Sequence, residues 1–476
     1  MAGDRTAVVW YRRDLRLHDH EPLVDAANAD ELLAVFVFDP REYGTARFGG
    51  RHSFSYEKTG PYRTRFRLEA VSDLRTRLRD AGSDLVVRVG SPEDVVAELA
   101  ADVDADTVYA HTWPTAEERS VETALADRLA ERDVDFERTW GHTLSRPADL
   151  PTPIEEIDDT YTPFRKAVEA DGLIGDPLPQ PSLPPSPAVD PGRIPTATEL
   201  GVELATPDDR AVLGFEGGET AGFERLETYL WETDSLREYK ETRNGLLGRD
   251  YSSKLSPWLN EGCLSPREVY AEVKAYEQRR VSNQSTYWLV FELRWRDFFQ
   301  FQFAKHGTRF FTPGGIRQRT IEWRGDCTAF ERWNRGETGI PFVDANVREL
   351  NATGYLSNRG RQNVASFLVN DLEVDWRLGA AYFETQLVDY DVASNYGNWA
   401  YIAGVGNDSR DRAFDVLWQA KRYDPDAEYV TRWLPELSAL PAEFVHEPWR
   451  LSPAQQAEYG VTLGVDYPEP ILRPGR

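Results

Sequence analysis

The chain has only two cysteines, Cys263 and Cys327, and a single methionine in 476 residues. Two isolated cysteines build neither a disulfide framework nor a zinc cluster, and a reducing cytoplasm is the expected compartment. No apolar run approaches the roughly 18 residues of a membrane span. The first residues, MAGDRTAVVWYRRDLRLHD, are charged and pass straight into a strand pattern, which excludes a signal peptide there. Lysine is also scarce: seven (positions 58, 166, 240, 254, 274, 305 and 421) among 55 Lys plus Arg. Against these stand 80 Asp plus Glu, for a net charge of −25. A soluble acidic protein is the plain reading; the loss of lysine with arginine spared points further, to adaptation to high internal salt, a halophilic chain. Such a balance argues against nucleic acid, because phosphate binding wants a basic footprint. At molar salt, however, counterion release contributes little and repulsion is screened within about 3 Å. Local arginines therefore decide, and the global charge does not.

What is present is mostly core and rings: 41% hydrophobic residues, with 14 Trp, 21 Tyr and 22 Phe. The length implies more than one domain. TAVVWYRR, LLAVFVFDP, DLVVRVG, DTVYAHTW and DVDFERTW read as strands. Helical patterns separate them, most clearly PYRTRFRLEAVSDLRTRLRDAG, with Phe66, Val71, Leu74 and Leu78 on one side. Strands alternating with helices imply a doubly wound parallel sheet. Between 147 and 210 proline dominates, as in GDPLPQPSLPPSPAVDPGRIP, which predicts an extended connector. From 219 onward ETAGFERLETYLWE, SPREVYAEVKAYEQ, STYWLVFELRWRDFFQFQFAKH, NVASFLVNDL and DWRLGAAYFETQLVD carry helical periodicity. The expected architecture is an α/β domain (1–140), a Pro-rich connector (141–210) and an all-α domain (211–476).

Four stretches invite chemistry. DYDVASNYGNWAY (389–401) has the spacing of a calcium loop at Asp389 and Asp391, but Ala393 and Ser394 stand where a third ligand and a glycine are required. An acidic turn or the floor of a pocket stays open. In TGYLSNRGRQNVASFLVNDL (353–372) Ser357 is a plausible N-cap, with Asn358, Arg359 and Arg361 in the first helical turn. The helix dipole disfavours cations there, so the arginines call for an anion unless they are simply solvated. YSSKLSPWLNEGCLSP (251–266) sets Ser252, Ser253 and Ser256 around Lys254, a phosphate cradle or an ordinary serine-rich cap. STYWLVFELRWRDFFQF brings Glu292, Trp295 and Arg296 together, either as a functional face or as a buried helix with one internal Glu–Arg pair. Trp323, Trp376 and Trp399 singly read as core.

Together with WYRRDLRLHDHEPL, KETRNGLLGRDYSSKLSPWL, AKRYDPDAEYVTRWLPEL and the long run from GIPFVDANVREL to GVGND, these stretches resemble the photolyase/cryptochrome family, most closely its cryptochrome-DASH branch. The resemblance spans about residues 5–445 and is weakest in the connector. It implies an α/β antenna domain and a helical domain holding FAD. Tyr239, Ser252, Ser253, Lys254, Leu255 and Ser256 would hold the phosphates and ribityl chain; Arg296, Asn358, Arg361, Asp389, Tyr390, Asp391 and Asn395 would line the other side. Arg361 would pair with Asp389, and Asn395 would face flavin N5.

Trp399, Trp376 and Trp323 would carry electrons from the surface to the flavin. The substrate implied is DNA containing pyrimidine dimers, flipped into a pocket where Glu292 meets the dimer and Trp295 stacks on it. Photoexcited reduced FAD would split the dimer. Tyr401 would form the other wall, where photolyases of duplex dimers carry tryptophan, which favours single-stranded DNA. Arg243, Arg359, Arg410 and Arg412 are the expected phosphate contacts. Glu117, in WPTAEERSVE, would meet an antenna chromophore, methenyltetrahydrofolate or a deazaflavin. No metal, no membrane and a monomeric protein are expected. A signalling blue-light receptor is the alternative within the family. A class I aminoacyl-tRNA synthetase is disfavoured, because RLHDH supplies histidines without the His-x-Gly-His glycine.

Overall fold

The computed structural model describes residues 5–48, 54–324, 327–408 and 413–472. Among the described residues there are seven strands: β1 (Thr6–Tyr11), β2 (Glu31–Phe38), β3 (Thr45–Phe48), β4 (Phe54–Glu57), β5 (Leu85–Val89), β6 (Thr107–His111) and β7 (Asp135–Thr139). Five form a parallel sheet in the order β5-β2-β1-β6-β7. The central strands are buried on both faces, which is why TAVVWY and ELLAVFVF run almost without polar residues.

Alternation along these strands divides the core. Val8 and Trp10 of β1, with Leu33 and Val35 of β2, pack beneath the helices Pro92–Asp102 and Ala116–Ala130. Their neighbours Val9, Tyr11, Ala34 and Phe36 face the helix Pro61–Asp80 on the opposite side. Phe66, Val71, Leu74 and Leu78 are all buried there, as the periodicity predicts. This second core also includes Trp258, Leu264, Val273 and Leu289 of the helical domain. One face of the sheet is thus sealed by Pro92–Asp102 and Ala116–Ala130, and the other by Pro61–Asp80 together with the second domain. The antiparallel β3–β4 hairpin stands apart from the sheet and has no counterpart in the sequence reading.

The connector departs from the expectation of a purely extended segment. A helix, Tyr161–Asp171, interrupts it and buries Tyr161, Phe164 and Val168 in the core of the helical domain. Helical spacing of three apolar residues prevails over the proline-rich surroundings. The proline stretch after it lies along the α/β domain. Pro185 and Pro191 lend carbonyl oxygens to the N–H groups of Leu32 and Val87, at 3.0 and 2.9 Å. Proline cannot donate to a ladder but can accept.

The second domain is helical. Its longest element, Gln284–His306, opens on an Asn283 capping box. Asn358–Ser366 is capped by Ser357, whose hydroxyl accepts from the Gly360 N–H at 3.0 Å, as read from the sequence. Trp376–Gln386 and Val392–Ile402 cross where Gly379 permits close approach: a Cβ there would stand 2.2 Å from Cη2 of Trp399.

Candidate functional site

The stretch 389–401 is divided between a loop and a helix. Asp391 is the N-cap of Val392–Ile402, accepting from the Ser394 N–H at 2.7 Å, and Gln300 donates to it at 3.0 Å. Asp389 sits before the cap, 5% exposed. One guanidinium nitrogen of Arg361, Nη2, lies between its two oxygens at 2.9 and 2.8 Å, and Ser256 donates a hydroxyl hydrogen bond at 2.6 Å. Burial works against the Arg361 charge, but the Asp389 carboxylate outweighs it and holds the guanidinium above its ordinary value. Asn395, one turn into the helix, donates its amide to the Ala380 carbonyl at 2.9 Å, which leaves the side-chain oxygen for another partner. The ring of Tyr390 turns away from this group, under the Arg63 guanidinium at 4.5 Å.

The Ser252–Ser256 loop closes the opposite side. Arg225 anchors it by donating to the carbonyls of Ser252 and Ser253 and pairing with Asp250. Lys254 adopts a left-handed backbone (φ 54°), lies 3.3 Å from the Tyr251 ring centre and donates to the Arg249 carbonyl at 2.8 Å. Burial pushes its pKa down to about 7. Leu255 and Tyr239 are buried, and burial, then the Glu292 charge, raises the Tyr239 phenol. Asn358 is exposed at the first turn of its helix.

Glu292, Trp295 and Arg296 share one face of Gln284–His306, but the internal Glu–Arg pair does not form. Glu292 pairs with Arg243 instead. Arg296 donates to the carbonyls of His142 and Leu259, and its Nε has no partner among the described residues. Burial raises the Glu292 carboxyl, partly offset by Arg243. Trp295 lies between two tyrosines. Tyr161 stacks on it (centroids 3.6 Å apart, planes at 13°), and Tyr401 meets it edge-on (6.2 Å, 84°). The sequence reading did not include Tyr161, whose helical spacing with Phe164 and Val168 was masked by the surrounding prolines.

Arg359 donates to Gln362 and Asn244 at 3.0 and 2.9 Å and lies over the Tyr423 ring. Arg410 and Arg412 lie outside the described residues. Trp399 and Trp376 are buried, at 2% and 0%, whereas Trp323 is half-buried. Phe383 contacts Trp399, and Tyr396 contacts Trp376.

A cavity of about 310 Å³ opens between the domains. Glu117 lines it and pairs with Lys58. Phe48 and Tyr56 of the hairpin face it, as do Tyr390 and Tyr396. Its floor is Glu384, 3% exposed, whose carboxyl is raised by burial and accepts from Tyr396 at 3.1 Å. Of these residues only Glu117 and Tyr390 stood in the sequence-based set: Phe48 and Tyr56 come on a hairpin not periodic enough to read, and Glu384 and Tyr396 lie on helices whose approach to this cavity packing decides.

Among the described residues no helix is long and apolar enough to cross a membrane. The two-domain architecture and a buried cradle of serines, arginines and carboxylates fit a class of two-domain flavoproteins, and the comparisons bear on it directly. Residues 7–185 match the model "DNA photolyase", and residues 288–474 match "FAD binding domain of DNA photolyase". A cryptochrome DASH of Natronomonas pharaonis is 60% identical over 469 residues, 98% of each chain. One of Gloeobacter violaceus is 54% identical, over 98% of this chain and 93% of that one. The crystal structure of Synechocystis sp. PCC6803 cryptochrome superposes with a TM-score of 0.94 at 48% identity, covering 98% and 96% of the two chains. A class III photolyase from Agrobacterium tumefaciens gives 0.86 at 28% identity, over 99% and 95%. The chain belongs to the DNA photolyase/cryptochrome family, in its cryptochrome-DASH branch.

The residues fit the flavin nucleotide that this domain is named for. Serine hydroxyls and Lys254 are donors suited to a diphosphate. The Asp389 and Asp391 carboxylates and the Asn395 amide suit ring N–H groups and hydroxyls, and Arg296 keeps a buried donor without a partner among the described residues.

Proposed function

We propose that the protein splits cyclobutane pyrimidine dimers in single-stranded DNA under blue light. Bound FAD supplies light absorption and the electron; the chain's residues bind, orient and exclude water. On this reading Tyr239, Ser252, Ser253, Lys254, Leu255 and Ser256 hold the phosphates and ribityl chain. Arg296, Asn358, Arg361, Asp389 and Asp391 would line the opposite wall, without the Tyr390 ring, which faces the interdomain cavity, and Asn395 would offer its oxygen to the proton at flavin N5.

The supporting observation is the meeting of Trp295 and Tyr401, edge to face at 6.2 Å, on the helix face that carries Glu292. Two rings at right angles with a carboxyl at their rim can receive a folded, polar-edged lesion. Glu292, its carboxyl raised by burial, would hydrogen-bond the dimer's polar edge. Trp295 would stack on it, and Tyr401 would close the second wall. Extruding a dimer from duplex costs a few kcal/mol, which a single strand largely avoids. Arg243 and Arg359, with Arg410 and Arg412, would hold the phosphates. Trp399, Trp376 and Trp323 run from buried to half-buried, a gradient suited to relaying electrons inward from the surface.

The interdomain cavity is proposed for an antenna chromophore. Its mix of rings, cations and carboxylates suits a folate or a deazaflavin, with Glu117 as one contact. The solved Sulfolobus tokodaii photolyase, 27% identical with a TM-score of 0.79, is described as containing two FAD molecules, with a novel light-harvesting cofactor implied. We further propose the boundaries 1–140, 141–210 and 211–476, a monomeric state, a cytoplasmic location and a salt-rich interior as the setting.

The reading is tested by illuminating the reduced holoprotein with a dimer-containing single-stranded oligonucleotide and following dimer loss by chromatography. Restored pyrimidines support it. Unchanged dimers alongside normal flavin photoreduction would favour a blue-light receptor.

A further inference from the structure

In a chain of net charge −25 many arginines meet carboxylates, while others, such as Arg16 and Arg88, bond backbone carbonyls. Three cations without a carboxylate lie along a path that leads away from Glu292. Among the described residues Arg359, Arg422 and Lys240 form no ion pair. They are joined through rings. Arg422 lies over Trp418 at 5.5 Å and over Tyr423 at 5.8 Å, and Arg359 lies over the same Tyr423 at 4.7 Å. Asn244 accepts from Arg359 and stands next to Arg243, which lies with Lys240 over Trp288 at 5.2 and 5.0 Å. A ladder of alternating cations and rings thus leads from the surface helix Val416–Tyr423 to the carboxyl of Glu292. After burial, Arg243 and Arg422 are the like charges that press on Arg359. The carboxylates nearby are engaged elsewhere: Asp415 caps the helix at the Trp418 N–H, and Glu447 holds Lys421.

The far end of this ladder is unusual in a second way. Trp418 is 54% exposed, although tryptophan is among the most costly side chains to leave in water. Arg422 covers part of the ring, and among the described residues no other aromatic packs on it. A ring with a cation on one side and an open surface on the other is the arrangement that base stacking uses.

We propose that Trp418, Arg422, Tyr423 and Arg359 form a docking track for the unpaired strand that flanks the lesion. Phosphates lie along Arg422, Arg359 and Lys240, and an unpaired base stacks on Trp418. The proposal rests on the single-stranded DNA reading above and extends it to a contact well outside the lesion pocket. It also accounts for how so acidic a chain holds a polyanion in concentrated salt. Ionic contacts weaken there, whereas stacking is nearly indifferent to salt. A duplex, with its bases already stacked, cannot use Trp418.

The test measures fluorescence anisotropy of a labelled, undamaged single strand and of the matching duplex, in the dark, with holoprotein of wild type, Trp418→Ala, Trp418→Phe and Arg422→Ala. Flavin absorbance and circular dichroism confirm folding. Trp418→Ala is expected to weaken single-strand binding about tenfold at low and at molar salt, with Trp418→Phe close to wild type and duplex binding unchanged. Arg422→Ala is expected to lower the slope of log K against log salt by about 0.7. Equal losses on single strand and duplex, no loss in Trp418→Ala, or a wild-type dimer that Trp418→Ala converts to monomer would each overturn the track. Dimer splitting is scored separately. If wild type leaves dimers intact while Trp418→Ala still weakens binding, the repair reading fails and the track stands.

Discussion

Arg361 Nη2 sits between the two carboxylate oxygens of Asp389, at 2.9 and 2.8 Å, and so ties the start of one helix to the loop before another. The pair is held by position as much as by charge. Arg361 Nε is also committed to the Leu356 carbonyl, and Ser256 bonds the same carboxylate. Arg361→Ala would leave a buried, unpaired carboxylate, a loss of about 3–5 kcal/mol. A lower urea midpoint and a colourless purified protein are the expected results. Asp389→Asn, which keeps a neutral acceptor for Ser256, is expected to lose less stability.

Gly379 is where the Trp376–Gln386 helix touches Trp399. A methyl group there would meet Cη2 and Cζ3 at 2.2 and 2.5 Å, so the indole must move. Gly379→Ala is expected to cost about 1–3 kcal/mol by overpacking. Because the displaced ring is the one proposed to feed the flavin, photoreduction should slow as well. Flavin bleaching under blue light reads the second effect, and denaturant unfolding the first.

Trp399→Phe and Trp376→Phe keep an aromatic ring but remove the oxidisable indole. Each is expected to slow flavin photoreduction severely while the absorbance of the bound flavin stays as in wild type. Trp323→Phe, nearer the surface, should show a smaller loss of rate at high reductant concentration. Full-rate photoreduction in Trp399→Phe would exclude this chain of three.

Glu292→Gln preserves size and leaves Arg243 a hydrogen-bond acceptor. A lost charged hydrogen bond to the lesion is worth about 1.5–3 kcal/mol. Binding of dimer-containing single strands should weaken roughly ten- to hundredfold, with undamaged strands and flavin content little changed. A competition assay between damaged and undamaged oligonucleotides checks it.

Lys254 ties stability to pH. Its pKa falls from the ordinary 10.5 to about 7 on burial. Folding therefore releases a proton between those values, and the destabilisation is complete below pH 7 and fades as pH rises toward 10.5. Lys254→Met removes it. In the flavin-free protein the variant's stability advantage should be largest at and below pH 7, on the order of a few kcal/mol, and should shrink by about pH 10. Urea titrations of both proteins across that range would show a pH-independent gap if the ammonium is not desolvated.

Some features follow from local chemistry and were legible along the chain. The runs TAVVWY and ELLAVFVF are parallel strands because a buried parallel sheet tolerates few polar residues, and the sheet has those strands at its centre. Ser357 caps its helix because a hydroxyl is the natural acceptor at that end. The pairing of Arg361 with Asp389, implied by family resemblance, is present too.

Other features belong to the tertiary structure. Glu292 and Arg296 lie one turn apart, which allows a pair, yet each finds a better partner: Arg243 for one, backbone carbonyls for the other. Tyr161 stacks on Trp295 only because a helix forms within the proline-rich connector and packs against the second domain. The cavity holding Glu117 is assembled from both domains and a hairpin too short to read. Residues next to one another in sequence report their own periodicity and caps. Which distant side chain wins a buried charge or a ring is decided by packing, where desolvation makes the choice of partner worth several kcal/mol.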